Sequence, residues 1–233
     1  MAVESKKAKV VKKDSLASTF LDIVLETSKS FSFIPGQFIT IKVNEKLVRS
    51  YSIAGKVKDN QFGLMVDVKP GGEGSNFFKS LIVGNEIEYI GPTGVFTLKE
   101  DDGAEEIVLL GTGSGITPLK AMIEQALYVR PINKKMILYF GLRFTEDLFW
   151  NDYFDRIAET FENFTFKLCL SKPDESWQGA SGHITELLAN DYSDDTSILS
   201  AYLCGSEKMI EEAKEYLKSK GTPENRIYHE KFF

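Results

Sequence analysis

Cysteine, histidine and tryptophan are scarce in this chain, with two of each among 233 residues. The cysteines, Cys169 and Cys204, stand far apart and form no CxxC pair. That excludes a disulfide-stapled scaffold, a four-cysteine iron–sulfur cluster and a cysteine-rich zinc site, so no metal centre is expected. Long apolar runs are missing as well. The longest, 136–140, falls far short of the ~18 residues of a membrane span. The start of the chain carries Lys6 and Lys7 but no hydrophobic segment of the kind a secretory signal needs, which predicts a cytoplasmic protein. Disorder is excluded by composition, because 42% of the residues are apolar against 27% charged.

A surplus of positive charge is also absent. The net charge of −6 is unevenly divided: residues 1–100 hold 14 Lys+Arg against 11 Asp+Glu, and residues 101–233 hold 14 against 23. So acidic a second part lacks the basic stripe that nucleic acid requires. The one basic cluster, Lys6, Lys7, Lys9, Lys12 and Lys13, reads as lysines protecting an edge strand. The alternative is that they steer an acidic protein toward the first part of the chain.

What is present divides into two rhythms. Up to about residue 98, short alternating apolar runs (20–24, 38–43, 64–68) are separated by turn residues such as Pro35-Gly36, Asp59-Asn60 and Gly91-Pro92. This pattern predicts an antiparallel β-barrel or sandwich, interrupted by one helix over 76–82. Past the polar turn at Asp101-Asp102-Gly103, strands expected at 107–110, 136–140, 164–170, 198–203 and 226–229 alternate with helices at 118–128, 147–158, 184–188 and 208–217. Strands that are apolar on both faces and alternate with helices predict an α/β domain with a mostly parallel sheet. The expected domains are therefore 1–101 and 102–233.

Three segments carry chemistry. Gly111, Thr112, Gly113, Gly115, Thr117 and Pro118 follow the first parallel strand and open its helix, with Thr117 expected as the N-cap and Pro118 as the first helical residue. Glycines there let a ligand approach the backbone, and a helix N-terminus attracts pyrophosphate. The spacing fits neither GxGxxG nor GxxxxGK[ST], so a tight turn without ligand is equally compatible with it. Arg49, Tyr51 and Ser52 lie on an expected strand and combine a phosphate-binding fork, a flat ring and a hydroxyl. Read alone, that is also what an exposed strand with one packed tyrosine looks like. Gly71, Gly72 and Gly74 precede Ser75, the expected N-cap of the next helix, in a second anion-binding pattern. The two histidines, His183 and His229, belong to no such constellation.

Taken in order, these segments resemble the ferredoxin–NADP reductase superfamily, in the branch of flavin reductases and oxygenase reductases. The resemblance covers nearly the whole chain: Pro35-Gly36-Gln37-Phe38, Arg49-x-Tyr51-Ser52, Gly71-Gly72-x-x-Ser75, Gly91-Pro92-x-Gly94-x-Phe96, Gly111-x-Gly113-x-Gly115-Ile116-Thr117-Pro118, Tyr139-x-Gly141-x-Arg143, Cys204-Gly205 and Glu230-Lys231-Phe232-Phe233. It implies a flavin-binding barrel followed by an NAD(P)-binding domain, with FAD as cofactor and NAD(P)H as co-substrate. Arg49 would pair with the flavin phosphate, Tyr51 would pack on the isoalloxazine, and Ser52 would act near flavin N5. Gly71, Gly72, Gly74 and Ser75 would hold the pyrophosphate, and Gly111 to Pro118 the nicotinamide nucleotide. Cys204 and Gly205 would sit beside the nicotinamide, with Cys204 in a packing or positioning role and Glu230 alongside it. Phe232 or Phe233 would cover the flavin. Two departures, Gly55 where relatives often have serine and Glu73 inside the glycine-rich loop, keep FMN or a loosely held flavin open.

Arg143, Ser171 and Lys172 would meet the 2′-phosphate of NADPH, against the opposing charge of Glu146, Asp147 and Asp174. Trp177 would be a loop anchor or a ligand contact. The implied activity is an oxidoreductase that moves hydride from NAD(P)H to FAD and passes electrons to a separate acceptor such as ferredoxin or flavodoxin. The alternatives are an NAD(P)H:flavin oxidoreductase that reduces free flavin, and a non-catalytic nucleotide-binding subunit.

Overall fold

The computed structural model describes residues 5–99 and 101–232, and the chain within it separates into two compact units. The first comprises the residues up to Leu98 together with Lys120–Glu124; the second comprises Lys99–Leu119 and the residues from Gln125 onward.

In the first unit, β1 (Lys6–Ser15), β2 (Phe20–Glu26), β3 (Phe38–Asn44), β4 (Leu47–Lys58), β5 (Gln61–Asp67) and β6 (Glu86–Thr93) close into a barrel in the order β1-β2-β5-β4-β3-β6. Helix α1 (Glu73–Ser80) lies between β5 and β6 in the chain. Alternation sends Ile23 and Leu25, Ile39 and Ile41, Ile53, and Phe62 and Leu64 inward, where all are fully buried. Phe31 seals the core by stacking on Phe62 at 3.9 Å. Each such side chain contributes roughly 1.5–3 kcal/mol of burial.

Closure corrects one expectation. β1 pairs with β2 on one side and β6 on the other, so its lysines guard no edge. Lys7 pairs with Glu86 and Lys12 with Asp22, while Lys13 donates to the carbonyls of Lys79 and Leu81 at the end of α1. These lysines serve mainly as internal partners of the barrel wall.

From Lys99 onward, β7 (Glu106–Thr112), α2 (Ile116–Glu124, whose residues from Lys120 group with the first unit), β8 (Lys135–Leu142), α3 (Asn151–Thr160), β9 (Phe164–Leu170), β10 (Ala180–Ser181), α4 (Ile184–Asp191), β11 (Leu199–Gly205), α5 (Glu207–Ser219) and β12 (Ile227–Lys231) follow in turn. The strands form one parallel sheet in the order β10-β9-β8-β7-β11-β12. The chain leaves β7 toward β8 on one side and returns to β11 on the other. The gap beyond the C-terminal ends of β7 and β11 is thus the topological switch point, where sheets of this kind hold their ligands.

Two helix starts differ from expectation. A 3-10 turn at Gly113–Gly115 runs straight into α2 at Ile116, so Thr117 and Pro118 lie inside the first turn instead of capping it, and Thr117 Oγ1 donates to the Ser114 carbonyl at 2.8 Å. α1 likewise begins at Glu73 with Gly72 at the cap, and Ser75 is buried within the first turn. Ahead of α2 the segment Gly113–Gly115 itself winds into a 3-10 turn, whereas at α1 Gly72 is extended and only Gly74 lies within the helix. At its far end α2 continues as a π-helical turn over Gln125–Val129. Among the described residues, no helix is long and apolar enough to cross a membrane.

Candidate functional site

In the first unit the site grows from β4. Arg49, Tyr51 and Ile53 share the face of their partners Ile41 and Ile39, whereas Ser52 stands opposite Phe38 on the other face. Tyr51 reaches over the rim of the barrel and meets Phe78 of α1 edge-on at 4.7 Å. Burial, opposed only weakly by Arg49, pushes its phenol up to about 12, so the hydroxyl remains a donor. A Cβ placed on Gly74 would lie 3.0 Å from the Tyr51 hydroxyl and 3.5 Å from Arg49 Cγ, so the start of α1 is pressed against both side chains. Arg49 is exposed and donates to the neighbouring Val48 carbonyl, at 3.0 Å. Amides 73–75 have no carbonyl upstream within the helix. The Arg49 stem, the Tyr51 phenol and the first-turn amides therefore lie side by side, and together they bring the kinds of donor that bind a diphosphate.

Glu73, an apparent obstacle in sequence, is directed elsewhere: its carboxylate accepts from Asn44 Nδ2 at 2.5 Å. A shallow depression of about 420 Å³ lies beside that pair, between Val43 and Phe77. Ser52 is nearly fully buried. Beyond it on the strand, Lys120 Nζ donates to the Ala54 carbonyl at 3.3 Å and to Glu124 Oε1 at 2.6 Å, and that carboxylate fills the space a side chain at position 55 would need.

In the second unit, glycines line the C-terminal strand ends. A Cβ on Gly115 would overlap the Cys204 carbonyl oxygen, and one on Gly205 would overlap Thr112 Oγ1. The turn after β7 thus packs directly on the end of β11, and Thr112 Oγ1 accepts from the Ser206 amide at 3.1 Å. Cys204 lies beside Glu230 in the β11–β12 register. Burial, reinforced by the Glu230 charge, pushes the Cys204 thiol well above its ordinary value. The reactive species is the thiolate. Iodoacetamide at pH 8 is therefore expected to leave Cys204 unmodified until the protein is unfolded, as peptide mass mapping would record; rapid labelling of the folded protein would contradict the burial. Cys169 is equally enclosed, with its thiol raised to about 11, and donates to the Gly182 carbonyl at 3.2 Å.

Phe232 is half-buried, and its amide donates to the Gly205 carbonyl at 3.2 Å. Phe233 lies outside the described residues. Arg143 and Lys172, exposed at the ends of β8 and β9, are neighbours through the Lys172 amide, which donates to the Arg143 carbonyl at 2.8 Å, and Ser171 joins Leu142 in the same way. Of the acidic residues nearby, Asp147 is buried and Asp174 accepts from the amide and hydroxyl of Ser176, which lower its pKa. Trp177 donates its indole N–H to the Ala180 carbonyl, as a loop anchor does. His183 caps α4 through its backbone amide, which Glu186 accepts at 3.1 Å. Sequence reasoning missed Asn44 and the Lys120–Glu124 pair, because each meets its partner across a long stretch of chain.

The first unit is thus a closed antiparallel barrel carrying the Arg49–Tyr51–Gly74 cluster, and the second is a parallel sheet with a glycine-lined switch point. Residues 7–98 match the oxidoreductase FAD-binding domain family, and residues 109–215 match the oxidoreductase NAD-binding domain family. A solved cytochrome P450 reductase from Amycolatopsis is 30% identical, with a TM-score of 0.89 over 98% of this chain and 70% of that one. The toluate 1,2-dioxygenase electron transfer component of Pseudomonas putida is 28% identical over 95% of this chain and 65% of its own length. Ferredoxin–NADP reductase B of Sorangium cellulosum is 29% identical over 88% of this chain and 87% of its own. The chain belongs to the ferredoxin–NADP reductase superfamily. It spans 50% to 65% of the length of several curated relatives.

Proposed function

We propose that this protein takes hydride from NADPH and passes the electrons, through FAD, to a separate electron-transfer protein. The observation that carries the reading is the cluster of Arg49, Tyr51 and Gly74 at the start of α1, a cradle for a flavin diphosphate. FAD, when bound, supplies an N5 that accepts a hydride as a pair of electrons and can release them singly. The chain's own part is binding and orientation. Arg49 and the amides of 73–75 neutralise the diphosphate, and Tyr51 packs against the ring system. Ser52 offers a hydroxyl near N5 from a buried strand whose register fixes its direction. The Gly111–Pro118 turn holds the nucleotide pyrophosphate, with no side chain at Gly111, Gly113 or Gly115 to keep it from the backbone. Cys204, kept as a thiol, fills space beside the nicotinamide and excludes water, and Glu230 and Phe232 complete that wall. Such constraint on two reactants replaces a bimolecular encounter with a preset geometry.

The acceptor is proposed to be a ferredoxin or flavodoxin. Support comes from relatives named as electron transfer components of dioxygenases. The test is the visible spectrum of the purified protein, recorded anaerobically before and after NADPH and then NADH. A yellow protein bleached by the nucleotide supports the reading; a colourless protein that oxidises NADPH only with added free flavin replaces it with a flavin reductase.

Preference for NADPH is proposed to rest on Arg143 and Lys172. Replacing both with alanine is expected to raise KM for NADPH at least about tenfold, through the loss of charge-assisted hydrogen bonds to phosphate, with KM for NADH nearly unchanged. An equal rise for both nucleotides would remove the pair from the 2′-phosphate site.

A further inference from the structure

The second unit contains a polar network that no step above uses. Tyr139 and Lys167 face each other in the β8–β9 register, so both side chains project from the same face of the sheet. There the Tyr139 hydroxyl donates to Asp191 Oδ2 at 2.5 Å, and Lys167 Nζ reaches both carboxylate oxygens at 2.6 Å. Asp191 is the last residue of α4. The next residue, Tyr192, donates its hydroxyl to Glu106 of β7 at 2.6 Å, and its carbonyl accepts from Tyr216 of α5 at 2.7 Å. The far end of α4 is therefore tied to three strands and a helix.

The near end of α4 sits at the nucleotide crevice. Gly141 lies two residues beyond Tyr139 on the same face of β8, and a Cβ there would be 3.0 Å from Ile184 Cγ2 and 3.1 Å from Thr112 Cγ2. Thr112 is the last residue of β7 and leads directly into the glycine-rich turn at Gly113–Gly115. Eight residues of helix thus connect Asp191, held by Tyr139, with Ile184, seated on Gly141. A helix of about 12 Å moves as a rigid rod, so freedom at one end becomes displacement at the other.

We propose that Asp191 is a positioning residue for the nicotinamide-nucleotide site: by gathering the Tyr139 phenol and the Lys167 ammonium, it sets where the start of α4 meets the strand end at Gly141. The inference rests on the nucleotide-binding reading given above. Burial first, and then the bond to Asp191, drive the Tyr139 phenol far above its ordinary value, so it is a permanent donor. Without the carboxylate a fully buried hydroxyl loses its acceptor, and the helix end is released to find another.

The experiment uses the full chain with its flavin and titrates NADP+ by calorimetry in four proteins: the parent, Asp191→Ala, Tyr139→Phe and Asp191→Asn. The expected Kd rises about fivefold in Asp191→Ala and in Tyr139→Phe. Flavin content and the flavin spectrum stay at the parent's values in both. Asp191→Asn, whose amide oxygen still accepts from the phenol, stays within about twofold of the parent. Tyr139→Phe keeps the ring packed, so it reports even if Asp191→Ala does not fold. An unchanged Kd in Tyr139→Phe, whatever happens to the melting temperature of Asp191→Ala, overturns the positioning role and leaves the nucleotide reading standing. A parent that binds neither NADP+ nor NADH brings down both.

Discussion

Gly115→Ala is expected to destabilise the second unit by about 3 kcal/mol and to abolish nicotinamide-nucleotide binding. The added methyl would overlap the Cys204 carbonyl oxygen and crowd the Gly205 amide, both backbone atoms held in the β11 ladder, so no side-chain rotation can relieve the contact. The turn after β7 would have to lift away from β11, taking with it the first turn of α2. Urea unfolding and NADP+ calorimetry check the two effects separately. Gly113 supplies the control. It has a φ of +53° and open space around it, so alanine there costs only the left-handed backbone, about 1 kcal/mol. Equal losses at the two positions would mean that close packing on β11 does not distinguish them.

Ser52→Ala is the counterpart in the first unit, where a rate is affected and stability is not. Under the proposed function it slows hydride transfer ~100-fold, the scale associated with removing one preorganised donor from a reacting centre. Its side chain is small and sits opposite Phe38, so the methyl of alanine fills nearly the same space. Nucleotide affinity is accordingly expected to hold, because the β4 register that aims the residue is untouched. Anaerobic stopped-flow reduction by NADPH reads the rate, and Ser52→Thr, which keeps a hydroxyl, should recover most of it. A Ser52→Ala protein reduced at the parent's rate would remove Ser52 from the reacting centre.

Periodicity carried most of the architecture. Alternation marked the barrel strands, and strand β9 was legible to the residue because its Phe164, Phe166 and Leu168 to Leu170 pattern is bounded by turn residues on both sides. Helix starts were less legible. Thr117 and Ser75 are good caps by residue type, yet both helices begin earlier, at Ile116 after the 3-10 turn of Gly113–Gly115 and at Glu73 after an extended Gly72. The lysines of β1 illustrate the same limit. Their spacing indicates an exposed strand face, but whether that strand is an edge depends on β6, about eighty residues later in the chain.

Residue types in local order determined the family, the two kinds of unit and the glycine-rich turns, since each depends on neighbours within a few positions. Tertiary structure alone decided that Glu73 turns to Asn44, that Asp147 is buried, and that Asp191 joins Tyr139 and Lys167. Those pairings join residues from distant strands and helices. No local pattern encodes them, because hydrogen bonds and charge act through space, and only closure of the barrel and stacking of the sheet bring the groups within reach.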